Sequence, residues 1–342
     1  RKVMTKGDKR RGRKKYRVRY DRIVVLVLLI ISIAVVVSSC VKKFSGEDDT
    51  ETSSDVPSAA VTEPTEAETP TEPQVTAEST EVATEEADVP SSSVEYDKTA
   101  SQMGSLVLVN SEYEYTFPEG DIDPVTIVGN RNDFYQAGDY VTKLDKDVIA
   151  QLNALMEAYA VSMNAETTGI FIQDGYRTFE EQEERHRSGK SKTFDAGHTD
   201  YHTGRTFDVF RYDSQSGTGY SYFEADDWFK ENSGNYGFIL RYPEGKETAT
   251  GENPRTYTYR YVGVPHASYI NSHQLCLEEY ITEVKGHTNE NPLEISANGH
   301  TYNVYYVPAE TEGKTAVPVP TDKEYTVSGC NAGGFIVTAA LN

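Results

Sequence analysis

Gly197-His198-Thr199-Asp200-Tyr201-His202-Thr203-Gly204-Arg205-Thr206-Phe207-Asp208 sets two histidines and two aspartates around a Thr-Gly turn and feeds into the alternating segment Phe207-Asp208-Val209-Phe210. Such alternation predicts a strand with Asp208 on one face and Phe207 and Val209 on the other. Imidazole and carboxylate are ligands that divalent transition metals take, so His198, His202 and Asp208 are candidate metal ligands. A displacement of one residue on an extended segment turns a side chain to the opposite face. Register therefore decides which of these side chains converge.

Working outward, Ile170-Phe171-Ile172 predicts a buried strand that delivers Gly175-Tyr176-Arg177-Thr178. Thr178 then starts a helix, with Glu181 three residues on as its capping-box partner. Before it, Lys146 to Met163 predicts an amphipathic helix with Val148, Leu152, Leu155, Met156 and Tyr159 on one face. Leu106-Val107-Leu108-Val109 predicts a first short strand. After the motif, helices are expected at Phe223–Asn232 and Ser268–Val284, and strands within Tyr236–Pro243 and Thr256–Val262. The mixture predicts an α+β fold over residues 99–290, with helices on a small antiparallel sheet. From Leu293 the pattern becomes short strands with turns at Asn298-Gly299 and Ala332-Gly333-Gly334, a β-rich module over residues 291–342.

Several of these segments, in the same order, resemble the VanY-like D-alanyl-D-alanine carboxypeptidases, zinc peptidases of family M15. Gly175-Tyr176-Arg177-Thr178 with Gln182 is similar to the family's Gly-Tyr-Arg-Ser helix start, and Thr199 to Asp208 to its Ser-x-His-x-Thr-Gly-x-x-x-Asp motif. Tyr236 to Pro243 is similar to its Gly-Phe-x-x-Arg-Tyr-Pro segment. Tyr259-Arg260-Tyr261-Val262-Gly263-Val264-Pro265-His266-Ala267 resembles the stretch after its Glu-Pro-Trp-His motif, and Leu277-Glu278-Glu279-Tyr280 closes the likeness. It covers about Gly104 to Glu283.

The resemblance implies a zinc ion held by the His and Asp of the first motif and the His of the last, with a Glu three residues before that last His as base. Position by position, Asp208 is retained. The first His falls on Tyr201, the last on Thr258 and the base on Arg255. One carboxylate does not hold zinc, and an arginine stays protonated at any relevant pH. The hydrolytic machinery is therefore expected to be degenerate. The alternative is a relocated metal site that uses His202, one position beyond the expected ligand, and His198, four residues before His202. The resemblance also implies substrate binding by Arg177, Thr178 and Gln182, since a guanidinium fork suits a terminal carboxylate. Against this, Arg177 has acidic neighbours in Asp174 and Glu181 with which to pair. His266 is expected to be structural, and His186, His273, His287 and His300 to be isolated surface or core residues.

The N-terminal part has a different composition. Residues 1–22 are strongly basic, and residues 23–41 are apolar and about the ~20 residues that a bilayer crossing needs. The charge bias predicts a cytoplasmic basic end, a single span and an exterior remainder. Val37-Ser38-Ser39-Cys40 also resembles a lipobox, which would make Cys40 a lipidated anchor instead. Residues 45–98, rich in Thr, Glu and Pro, are expected to be a disordered, extended spacer. The net charge of −21 argues against nucleic acid as a partner of the folded part. Cys276 and Cys330 remain for the exterior, free or paired with each other.

Three function classes follow. One is a membrane-anchored carboxypeptidase that removes the terminal D-Ala of peptidoglycan stem peptides. Another is a degenerate member that recognises the stem peptide without cutting it. The last is a surface adhesin acting through the β-rich tail.

Overall fold

Apolar alternation becomes sheet in the computed structural model, which describes residues 91–341. In chain order the strands are β1 (Ser91–Asp97), β2 (Pro124–Thr126), β3 (Gln136–Ala137), β4 (Lys143–Asp145), β5 (Ile170–Gln173), β6 (Thr206–Tyr212) and β7 (Tyr220–Tyr222). They continue with β8 (Phe238–Tyr242), β9 (Arg255–Tyr261), β10 (Leu293–Ala297), β11 (His300–Pro308), β12 (Lys314–Pro320), β13 (Tyr325–Gly329) and β14 (Gly334–Ala340).

The central sheet has the order β3-β5-β6-β9-β8, with β7 hydrogen-bonded to β6. Its pairings are antiparallel except the two-residue β3–β5 contact, which is parallel and makes the sheet mixed. The helix Lys146–Ser162 lies in the expected place, capped by the Asp145 carboxylate. Its buried Val148, Leu152, Leu155, Met156 and Tyr159 share one core with Ile170, Ile172, Phe207, Val209 and Phe238. Because side chains alternate along a strand, Phe171, Gln173, Asp208 and Phe210 belong to the sheet face turned away from that helix. The candidate site is built on this second face.

Three local expectations are corrected. Leu106–Val109 is buried but is not a strand. Its backbone is satisfied by the Ser328 hydroxyl, by the Cys330 carbonyl and by the Arg260 guanidinium rather than by a ladder. Ser268–Val284 is two helices, His266–Ser272 and Leu277–Val284. Gln274, at φ 55°, turns the chain between them, and Glu279 bonds back to the Cys276 N–H to start the second. The helix expected at Phe223–Asn232 begins only at Asp227, where Asp226 caps it.

The C-terminal strands form the antiparallel sheet β10-β11-β14-β13. A two-stranded sheet of β1 and β12 packs against it through Val94, Tyr96, Val317, Val319, Phe335 and Val337. The spacer expected to run to residue 98 thus already contains a strand at Ser91–Asp97. Three consecutive serines disguise the Val94 and Tyr96 alternation that pairs with β12. Nor is the tail an isolated appendage, because Ile295, Val304 and Ile336 share a core with Ile270, Tyr280 and Ile281. His266 stitches the two parts, its ring nitrogens lying 2.6 Å from Tyr280 Oη and 3.0 Å from Thr338 Oγ1. That is the structural role expected of it.

Cys276 and Cys330 are both buried free thiols. Among the described residues, no helix is long and apolar enough to cross a membrane. The expected span at 23–41, Cys40 and the spacer up to residue 90 lie outside the described residues.

Candidate functional site

The motif is held from beneath by a buried ion network. Asp200 opens a short 3₁₀ turn, Asp200–Thr203, that ends at Gly204 with φ 65°. Its carboxylate lies 2.6 Å from Arg260 Nη1 and 3.3 Å from Arg241 Nε, and the Thr206 hydroxyl donates to it. All three charged side chains are fully buried. Arg241 reaches on to Glu278 at 2.7 and 3.0 Å, and Arg260 donates to the carbonyls of Ser105 and Val107. Burial alone would raise the pKa of Asp200, but Arg260 and Arg241 hold it below the usual value. A buried charge persists when it is paired and hydrogen-bonded in this way. The turn it fixes sends Tyr201 and His202 to different partners.

Tyr201 points to β6. Register places Asp208 opposite Thr258 on β9 and Gln173 on β5. Tyr201 Oη donates to Asp208 Oδ1 at 2.6 Å, and Thr258 Oγ1 donates to the same oxygen at 2.7 Å. Asp208 is 6% exposed and Tyr201 1%. Burial pushes the Asp208 pKa up to about 6, against the lowering effect of the two hydroxyl donors. Burial and the adjacent carboxylate raise the Tyr201 pKa well above its ordinary value. The Arg177 guanidinium lies over the Tyr201 ring at 4.0 Å, a cation–π distance. It is also held by Asp174 at 3.1 Å and Gln182 at 3.0 Å.

A segment unnoticed in the sequence closes the cluster. Phe194 sits edge-on to Tyr201 with ring centroids 6.1 Å apart and packs on Tyr242 at 5.9 Å. Gln182, fully buried, fixes this segment by donating to the Phe194 carbonyl at 2.6 Å. The Arg255 guanidinium lies 4.7 Å over the Phe194 ring and donates to the Thr193 hydroxyl at 3.1 Å. The order outward is thus Arg177, Tyr201, Phe194, Arg255, two rings held between two cations.

The structure therefore brings together Asp208, Tyr201 and Thr258, flanks them with Arg177 and places Arg255 at the rim. Thr178 acts as helix cap, accepting from the Glu181 N–H. The two candidate histidines do not join the cluster. His202 accepts from the Gly197 N–H at 3.0 Å through Nε2, and its Nδ1 lies 2.6 Å from the Arg177 carbonyl, so both nitrogens are engaged. Burial lowers its pKa to about 4. His198 instead bonds the Asn110 carbonyl at 2.9 Å.

The zinc ion implied by the resemblance does not fit these residues. Its donors would be a single carboxylate, one of whose oxygens already accepts two hydrogen bonds, a neutral phenol and a threonine hydroxyl, beside a guanidinium that repels a divalent cation. Among the described residues, no three His, Cys, Asp or Glu side chains gather as a metal site elsewhere.

The Asp200 network also escaped sequence reasoning, although it left a signal. Arg241 sits inside the otherwise apolar Phe238–Tyr242 and Arg260 between Tyr259 and Tyr261, and a buried cation calls for a buried anion. Phe194 left none, because a lone aromatic in a polar loop has no periodicity.

The D-alanyl-D-alanine carboxypeptidase family profile matches residues 141–264. A D-alanyl-D-alanine carboxypeptidase of Enterococcus faecium is 30% identical over 238 residues, spanning 69% of this chain and 75% of that protein. The putative carboxypeptidase YodJ of Bacillus subtilis (strain 168) is 28% identical over 196 residues, 53% of this chain and 68% of its own. The crystal structure of the vancomycin resistance D,D-dipeptidase VanXYg with a D-Ala-D-Ala phosphinate analogue superposes with a TM-score of 0.62 at 25% identity. It covers 73% of this chain and 99% of that one.

Proposed function

This chain belongs to the VanY family of D-alanyl-D-alanine carboxypeptidases, and we propose that it binds peptidoglycan stem peptides at the cell surface without hydrolysing them. The observation that carries the proposal is the shared acceptor: Tyr201 and Thr258 both donate to Oδ1 of Asp208, at the positions where the family resemblance implies metal ligands. A zinc peptidase activates water at an open coordination position. A hydroxyl pair on a buried carboxylate does not supply that position. Arg255, whose pKa is raised above its already high ordinary value, cannot accept a proton from water.

What remains is suited to binding. Arg177 is held rigidly, and among the described residues its buried Nε has no hydrogen-bond partner. A planar guanidinium of this kind recognises a carboxylate. D-Ala-D-Ala is the ligand class mimicked in the solved dipeptidase relative, and a D-Ala terminus is the ligand proposed here. Residues 23–41 would hold the chain in the membrane with the folded part outside, or a lipidated Cys40 would do so.

The test uses the full chain in detergent. We expect well under one equivalent of zinc by elemental analysis, no chelator-sensitive D-Ala release from a stem pentapeptide, and calorimetric binding of that peptide weakened about tenfold by Arg177→Ala. Stoichiometric zinc, with chelator-sensitive release lost on changing His202 or His198, would instead establish an active enzyme with a relocated metal site.

A further inference from the structure

The sheet face that carries Asp208 does not end at the cluster. Two residues further along β6 it presents Phe210 and then Tyr212, while β5 adds Phe171, β7 adds Tyr220 and Tyr222, and Tyr257 comes from β9. Five of the rings touch one another, and Tyr212 stands opposite Tyr220 in the ladder. Phe171 stacks on Phe210 at 5.5 Å, Phe210 meets Tyr220 and Tyr222 at 5.6 and 5.1 Å, and Tyr222 stacks on Tyr257 at 3.9 Å with 14° between planes. Yet Tyr212, Tyr220 and Tyr222 are 70%, 41% and 55% exposed, and the other three are half-buried. The other face of the same strands is closed by the core helix Lys146–Ser162. This face is open and aromatic, with Asp208 and Arg255 as the charged groups beside Tyr257.

We propose that these six rings are a stacking platform for the pyranose rings of a β-linked N-acetylhexosamine chain. The inference rests on the proposed peptide site, because the platform continues the same strand face from Asp208, roughly 7 Å per two residues. A ligand running off that site lies on it. The chemistry of the rings selects the occupant. An equatorially substituted pyranose presents a flat patch of polarised C–H groups that suits the negative face of an aromatic ring, and phenol hydroxyls at the rim suit its hydroxyl and amide groups. A polyanion is disfavoured by the net charge of −21. The exposed ring area is on the order of 400–500 Å², short of the ~800 Å² per partner that a stable protein interface needs. The patch is therefore sized for a few sugar rings rather than for another protein.

The experiment titrates chitotetraose and, separately, a free stem pentapeptide into the full chain in detergent, by calorimetry and saturation-transfer NMR. Chitotetraose should bind, with saturation reaching it from tyrosine ring protons. Tyr222→Ala and Tyr257→Ala should each weaken it about tenfold, while Tyr222→Trp, which keeps a ring, and Arg177→Ala should leave it within about twofold. Thermal unfolding checks that the alanine variants fold, and the saturation pattern of the unaltered chain tests the platform even if they do not. No binding at millimolar sugar, or equal binding by the alanine variants, overturns the platform. So does self-association of the chain that Tyr222→Ala abolishes. Sugar binding without peptide binding would leave the platform standing and remove the peptide proposal, and peptide binding without sugar binding would do the reverse.

Discussion

Two buried aspartates eight positions apart on one motif have opposite environments. Asp200 faces two guanidiniums and is held ionised, below its ordinary pKa. Asp208 faces two hydroxyls and is pushed up to about 6. Neutral donors solvate a carboxylate but do not cancel its charge, so burial prevails at Asp208 and charge pairing at Asp200. The first aspartate is a structural member. The second is hydrogen-bonded by neutral hydroxyls alone.

The comparison breaks most visibly at Asp200. Asp200→Ala leaves Arg241 and Arg260 buried with no central anion, and one broken partner of a buried pair costs about 3–5 kcal/mol. Urea unfolding of the variant should show a loss of that size, along with loosening of the helix Leu277–Val284 through Glu278. A loss below about 1 kcal/mol would show the network to be solvated, and the contrast between the two aspartates would vanish.

Supplying a counter-charge at Asp208 is the next test. Tyr201→His, Thr258→His and Arg255→Glu together supply two imidazoles beside Asp208 and a carboxylate at the rim. Zinc at about 100 times its dissociation constant should then stabilise the variant by about 2.7 kcal/mol while leaving the parent chain unmoved. D-Ala release need not accompany it, since ligand orientation depends on surrounding partners. Here these are Phe194, Gln182 and Arg177. Equal zinc stabilisation of both proteins would mean that the parent holds metal in some other way.

This contrast also explains what was legible beforehand. The α+β architecture, the helix Lys146–Ser162 and strands β5, β6, β8 and β9 were readable because apolar periodicity is local. The gathering of Tyr201, Thr258 and Asp208 was readable only through the family resemblance, because Tyr201 lies on the turn Asp200–Thr203 and not in the ladder that pairs Asp208 with Thr258. Their shared oxygen atom was not readable, nor was the Phe194 lid, because both depend on how a loop folds back over the sheet. β1 was hidden for a related reason, its partner β12 being more than 200 residues away. The split of Ser268–Val284 was missed because helical periodicity continues across Gln274 while the backbone there does not.

The smallest expected effect is also the most specific to Asp208. A folded-state pKa near 6 lies above the ordinary carboxylate value of about 3.9, so between those two values the folded chain binds a proton that the unfolded chain has released. Stability from this group is therefore fully present below about pH 4 and is lost as pH rises through about 6. Asp208→Asn removes the titration while keeping an oxygen to accept from Tyr201 and Thr258. The variant should gain on the parent by about 2 kcal/mol between pH 4 and 7, and the difference should be flat above pH 7. His202 and His266, whose pKa values burial lowers to about 4 and about 3, act in the opposite direction over part of this range. They are present in both proteins and cancel in the difference. Urea unfolding of the pair from pH 4 to 8 reads it directly. Parallel stability curves would mean that Asp208 is already ionised in the folded chain, its charge carried by Arg177 in the way that Arg241 and Arg260 carry that of Asp200.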